Sequence, residues 1–270
     1  MIDAMVFAAG LGTRLRPLTD SVPKALIEVG GMTVLERTVR RIAKLDPGII
    51  VVNAHHHAEQ VALELERLRR VLADESRRSS EASGAAPAPL RIELSLEEER
   101  PLETGGGLRQ ARHLFGRDRA ILLHNVDVVS ELDLADLVSV HGQAREYRSP
   151  IATLAVHVRP SRRQLLFDAE GLYGRRRTSS SEDEICRAPT GVGRPLAFTG
   201  VHIVSPSLLE TLEVEGPFSI VDHYLSLASQ GQVIAPRDVS GVRWWEIGTA
   251  ERLAAARADL GGPPRSGGPG

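Results

Sequence analysis

Apolar residues in the first half of this chain alternate between two rhythms. Short, mainly apolar runs at Ala4–Ala9, Ile49–Asn53, Ile92–Leu96 and Ala120–His124 read as strands covered on both faces. Between them, apolar positions recur three and four apart over Thr33–Leu45, Ala58–Leu72 and Gly107–Leu114, the stripe of an amphipathic helix. This βαβα order predicts an α/β fold with a doubly wound, mostly parallel, Rossmann-like sheet between helical layers, an α/β/α sandwich. Right-handed crossovers set successive strand ends along one edge, where ligands collect. The pattern predicts one domain over residues 1–260. Two stretches interrupt it: 73–89 is polar, small and proline-bearing and reads as a loop extension, and 174–195 reads as an exposed hairpin or mobile flap. Residues 261–270 are too rich in Gly and Pro to pack.

The first strand runs straight into Gly10-Leu11-Gly12-Thr13-Arg14. Glycines at 10 and 12 permit backbone angles that other residues avoid and let main-chain N–H groups approach phosphate oxygens closely. Arg14 can fork two donors onto a polyphosphate, and Lys24, after a proline-bounded loop, adds a compact second charge. A dinucleotide fingerprint would place a third glycine where Leu15 stands, and a P-loop would need Gly-Lys-Ser/Thr. Without further signal, a lone G-x-G is more often an ordinary turn.

The further signal is the full string GLGTRLRPLTDSVPKALIEVGG, which resembles the signature of the sugar nucleotidyltransferases. The likeness continues in VVNAHHHAEQV (51–61), LETGGGL (102–108), LLHNVDVV (122–129), FTGVHIVSP (198–206) and WWEIGTAERL (244–253). It spans roughly residues 3 to 256 and is closest to the short branch containing the N-acetylmuramate 1-phosphate uridylyltransferases and similar mannose- and heptose-1-phosphate enzymes. It implies the nucleotide-diphospho-sugar transferase fold and the joining of an NTP to a sugar 1-phosphate with release of pyrophosphate. Ala8, Ala9, Gly10, Gly12, Thr13, Arg14, Lys24, Glu103, Thr104 and Gly105 would then hold the nucleotide, and Asn125, Thr199 and Gly200 the sugar. Arg14, Lys24 and Asp127 would serve the reaction itself. The Glu-Lys-Pro segment of larger relatives has no counterpart in GRRRTSSSEDEIC; Arg162 and Arg163 are nearby alternatives.

Transfer between phosphates crowds negative groups together, which a divalent cation relieves; Mg²⁺ takes a few carboxylates and fills its shell with phosphate oxygens and water. Asp127 leaves an apolar strand where an unpaired carboxylate is costly, and by position alone it is equally an ion ligand or a capping residue. In the resemblance it binds the metal. Its expected partner is Glu246, standing where the family has aspartate; one more methylene makes direct ligation or contact through water equally open. Trp244 and Trp245 are read as packing residues, and Asp222 as a helix-start charge. His55 and His57 would share a face of an extended chain, a weak zinc pattern without further Cys or His nearby.

Composition changes this picture little. A net charge of −2 in 270 residues argues against a nucleic-acid groove, and the single Cys186 leaves no intramolecular disulfide. No apolar run is long enough to span a bilayer, so the expectation is a cytoplasmic protein, a monomer or small homo-oligomer, without nucleic-acid or membrane partners. Competing readings are a phosphocholine-type cytidylyltransferase and a non-catalytic NDP-sugar-binding regulator on the same fold. An NAD-dependent oxidoreductase is disfavoured by the missing third glycine.

Overall fold

All six residues from Ile2 to Phe7 are buried, as a strand with helices on both faces requires, and this strand lies at the heart of the sheet. A computed structural model describes residues 1–83, 90–147 and 149–261. In chain order the first half comprises β1 (Ile2–Phe7), β2 (Glu28–Val29), β3 (Met32–Thr33), α1 (Val34–Ala43), β4 (Ile50–Ala54), α2 (Ala58–Ser83), β5 (Ile92–Leu96), α3 (Glu103–Ala111) and β6 (Ala120–Asn125). The second half adds β7 (Val128–Ser130), α4 (Leu134–Tyr147), β8 (Ala152–His157), β9 (Arg163–Asp168), β10 (Gly171–Arg177), β11 (Glu184–Ile185) and β12 (Arg194–Val204). It closes with α5 (Ile220–Ser229), β13 (Ile234–Asp238), β14 (Trp244–Glu246) and α6 (Ala250–Leu260).

The sheet is parallel through β5, β4, β1 and β6, as the sequence pattern predicts. Beyond β6 the long β12 runs antiparallel and serves two neighbours: its second half continues into β8 and β13, its first half into β9, β10 and β11. One apolar layer packs α1, α2 and α6 against one face and another packs α3 and α5 against the other. Local signals explain several boundaries. Thr33 caps α1 by accepting from Glu36 N at 3.0 Å, and Val34, Leu35, Val39 and Ile42 form its buried stripe.

Two expectations require correction. The loop expected at 73–89 is helical as far as Ser83, because no helix breaker occurs before Gly84 and Glu75 meets Arg40 of α1 at 2.7 Å. Residues 84–89, like 262–270 of the expected tail, lie outside the described residues. The helix expected to start at Gly107 starts at Glu103, so all three glycines are inside it. Their value to the fold is close packing: a β-carbon at Gly105 would stand 2.2 Å from the Phe218 ring, and one at Gly106 would stand 2.5 Å from the Gly216 carbonyl. Within 174–195, β10 and β11 form an antiparallel hairpin tied to α5 by Arg175, which bonds both Glu184 and Asp222.

Candidate active site

The C-terminal ends of β1, β4 and β6 open onto a cleft of about 260 Å³ walled by Phe7, Ala8, Ala9, Gly10, Lys24, Asn53, Pro101, Glu103, Thr104, Asn125, Val126 and Asp127. The turn after β1 forms one rim. Gly12 has φ 64°, and a β-carbon there would stand 2.8 Å from Thr19 Cγ2; the Thr19 hydroxyl donates to the Gly12 carbonyl at 2.9 Å. Gly12 is thus glycine for the turn. Nothing lies within 4 Å of a β-carbon at Gly10, so this stretch of backbone faces open space where a phosphate can approach. Thr13 and Arg14 form the single helical turn that follows, and the Arg14 side chain is exposed.

Asn53 and Glu97, which sequence reasoning missed, brace the opposite rim. The Asn53 side-chain carbonyl accepts from Ala8 N at 2.7 Å, its amide donates to Glu97 Oε1 at 2.6 Å, and Glu97 Oε2 accepts from Leu102 N at 2.7 Å. Strand ends β1 and β4 and the entry to α3 are thereby locked into one unit. Burial pushes the Glu97 carboxyl up, opposed by the Leu102 and Asn53 bonds. Gly107 is the clearance for this bridge, since a β-carbon there would stand 2.7 Å from Glu97 Oε1 and 2.8 Å from Asn53 Nδ2. The one signal for Asn53 in the sequence is a polar residue ending an apolar strand.

Lys24 Nζ meets Asp127 Oδ2 at 2.5 Å across 103 residues of chain, both side chains largely buried. Asp127 sits between β6 and β7, and β14 pairs with β7 so that Glu246 lies opposite Val128, while Ile247 N donates to the Asp127 carbonyl at 3.0 Å. The two carboxylates therefore come from neighbouring chain segments. Glu246 Oε1 stands 3.5 Å from an Arg14 guanidinium nitrogen, and its other oxygen bonds Arg252. Gly248 makes this possible: a β-carbon there would stand 2.3 Å from Glu246 Oε1 and 2.9 Å from Arg14 Nη2. Two carboxylates are a donor set that suits a hard divalent cation completing its shell from phosphate and water, and no group of three His, Cys, Asp or Glu ligands forms among the described residues. Beneath this site His124 is buried, which lowers its pKa to about 4 and keeps the ring neutral.

Of the residues expected at the sugar, Asn125 lines the cleft and Gly200 adjoins it: Gly200 has φ 86° at a bulge in β12, and a β-carbon there would stand 2.8 Å from Asn125 Nδ2. Thr199 faces elsewhere. Its buried hydroxyl donates to the Ala155 carbonyl at 2.8 Å and so belongs to the sheet. Gly105 likewise lies against Phe218 and not on the cleft wall, whereas Glu103 and Thr104 line it. Trp244 donates to the Thr199 carbonyl at 3.1 Å and Trp245 to Asp259 at 2.8 Å, as packing residues. His55 and His57 do not share a face, because His57 has φ 54°; they bond the carbonyls of Glu97 and Asp20 respectively. Arg162 and Arg163 are exposed.

The nucleotidyl transferase family pattern matches residues 3–164. The chain is 32% identical over 261 residues to the N-acetylmuramate alpha-1-phosphate uridylyltransferase of Caulobacter vibrioides, covering 95% of this chain and 96% of that one. It is 26% identical over 261 residues to the enzyme of the same name from Neisseria meningitidis, covering 96% and 99%. In three dimensions it resembles the UTP-bound UGPase of Acinetobacter baumannii, with a TM-score of 0.70, 17% identity and coverage of 97% and 94%. That last likeness shows the fold. Together with a glycine turn and the Lys24–Asp127 pair on one cleft, the family match and the near full-length relationship place this chain among the enzymes of the nucleotidyl transferase family.

Proposed function

We propose that the protein is a Mg²⁺-dependent sugar-1-phosphate nucleotidyltransferase, making an NDP-sugar and pyrophosphate from an NTP and a sugar 1-phosphate. The observation that carries this is the Lys24–Asp127 pair on the cleft wall beside Gly10, with the Arg14–Glu246 pair on the segment hydrogen-bonded next to Asp127. The nucleobase end of the nucleotide fits between Ala8, Ala9 and the Glu103–Thr104 entry to α3, held in register by the Asn53–Glu97 bridge. Its phosphates then extend over Gly10 toward Arg14, which steadies the departing β,γ-phosphates. Lys24 exchanges its carboxylate for a phosphate as the substrates enter. Asp127 and Glu246 would hold Mg²⁺, which when bound would withdraw charge from the phosphate under attack. Asn125 and the space at Gly200 receive the sugar, and in-line placement of its phosphate oxygen on the α-phosphorus supplies much of the rate. No side chain needs to act as general base, because the attacking phosphate is already ionised.

The two relatives matched end to end are uridylyltransferases for N-acetylmuramate 1-phosphate, which makes UTP and that sugar phosphate the first pair to assay. Pyrophosphate release with Mg²⁺ is the expected result, and Asp127→Asn is expected to lower turnover by about 100-fold or more. Full turnover in Asp127→Asn would refute the metal assignment. NTP binding without pyrophosphate release from any sugar 1-phosphate would establish a binding protein instead.

A further inference from the structure

Arg159, the second residue after β8, carries a guanidinium that the fold holds by stacking. Its Cζ lies 4.2 Å from the centre of the Trp244 ring, and its Nε is buried with no partner. Burial lowers its pKa, Glu246 raises it and Arg252 lowers it, so this charge lies within electrostatic reach of the carboxylate that also meets Arg14. Stacking on an indole fixes the guanidinium plane. It does not repay a donor taken out of water, nor the repulsion from Arg252. A charge held flat, half-desolvated and short of acceptors is suited to an anion that arrives from outside.

Its surroundings indicate which anion. Trp244 is two residues from Glu246 on the same face of β14, and its ring nitrogen is bonded to the Thr199 carbonyl, next to Gly200. Gly200 in turn abuts Asn125 at the cleft wall. Arg159 is therefore reached through β14 and β12 from the side of the cleft where Gly200 adjoins Asn125. Lys24 and Arg14 already face the triphosphate, which leaves the second phosphate without a cation of its own. We infer that Arg159, held on Trp244, binds the phosphate monoester of the second substrate and sets the affinity of this enzyme for it. The inference rests on the reaction proposed above.

The test is steady-state kinetics of pyrophosphate release for wild type, Arg159→Gln, Arg159→Lys and Trp244→Leu, with UTP and N-acetylmuramate 1-phosphate varied in turn. Loss of a charge-assisted contact predicts a KM for the sugar phosphate raised about 10- to 100-fold in Arg159→Gln, with the KM for UTP within twofold of wild type. Arg159→Lys should recover part of the loss, and Trp244→Leu should fall between, because the cation stays but its platform is gone. An unchanged sugar-phosphate KM in Arg159→Gln, or equal losses for both substrates, would overturn the inference while leaving the reaction intact. Should Arg159→Gln not fold, Arg159→Lys decides alone: a sugar-phosphate KM equal to wild type refutes a role for the guanidinium fork, and a selective rise supports it. Wild type inactive with every NTP and sugar 1-phosphate pair would instead refute the reaction itself.

Discussion

Gly107→Ala sets helix propensity against clearance and so measures how rigid the nucleotide rim is. Alanine in a helix interior is favoured over glycine by about 1 kcal/mol. Against that, the new methyl would lie 2.7 Å from Glu97 Oε1 and 2.8 Å from Asn53 Nδ2, the two atoms that share the 2.6 Å bond of the bridge. Neither can swing away freely, because Ala8 N and Leu102 N hold their other ends. Disrupting a buried hydrogen bond to a carboxylate costs about 1.5–3 kcal/mol and overpacking about 1–3 more. Net destabilisation of about 1.5–5 kcal/mol follows, with a nucleotide KM raised several-fold as Ala8 N loses its acceptor. Gly142→Ala is the matched control: it sits exposed in α4 with nothing within 4 Å of the added carbon, so it should stabilise by up to about 1 kcal/mol. Urea unfolding of both variants, with UTP titrated in the pyrophosphate assay, reads both effects. If Gly107→Ala proved as stable as Gly142→Ala with an unchanged UTP KM, the bridge would be soft and its bracing role wrong.

Three further outcomes are expected. Gly248→Ala should leave urea stability nearly unchanged, since only the ends of Glu246 and Arg14 must move, yet lower kcat by about tenfold or more as these groups are displaced. Gly200→Ala forces a side chain to φ 86° and toward Asn125, so it should cost about 1–3 kcal/mol in a denaturant titration and raise the sugar-phosphate KM. His124 and His202 are buried with pKa values pushed down to about 4 and about 3, so the unfolded chain takes up their protons first as pH falls. Their stabilisation is complete above pH ~6.5 and is lost as pH drops toward those folded values, by about 2 kcal/mol for each ring near pH 5. Replacing His202 by Leu should flatten this part of the stability profile; equal slopes for variant and wild type would show that the ring does not titrate as buried.

Groups proposed to meet phosphate and metal need special backbone beside them, so they come as short contiguous strings, and such strings stand out in the sequence: the turn at Gly10–Arg14, Asp127 between β6 and β7, and Glu246 at the end of β14. Strand and helix rhythm likewise revealed the parallel half of the sheet, because a helix-covered strand must be apolar on both faces. The antiparallel half around β12 depends on a bulge at Gly200 that lets one strand serve two neighbours, and pairing of that kind leaves no local pattern. Tertiary structure alone decided which polar residues meet. Lys24 and Asp127 lie 103 residues apart, Asn53 and Glu97 44, and Arg159 reaches Trp244 from a different strand end. Such contacts form where crossovers bring strand ends to one edge, and their partners are chosen by distance in space, which periodicity along a chain does not encode.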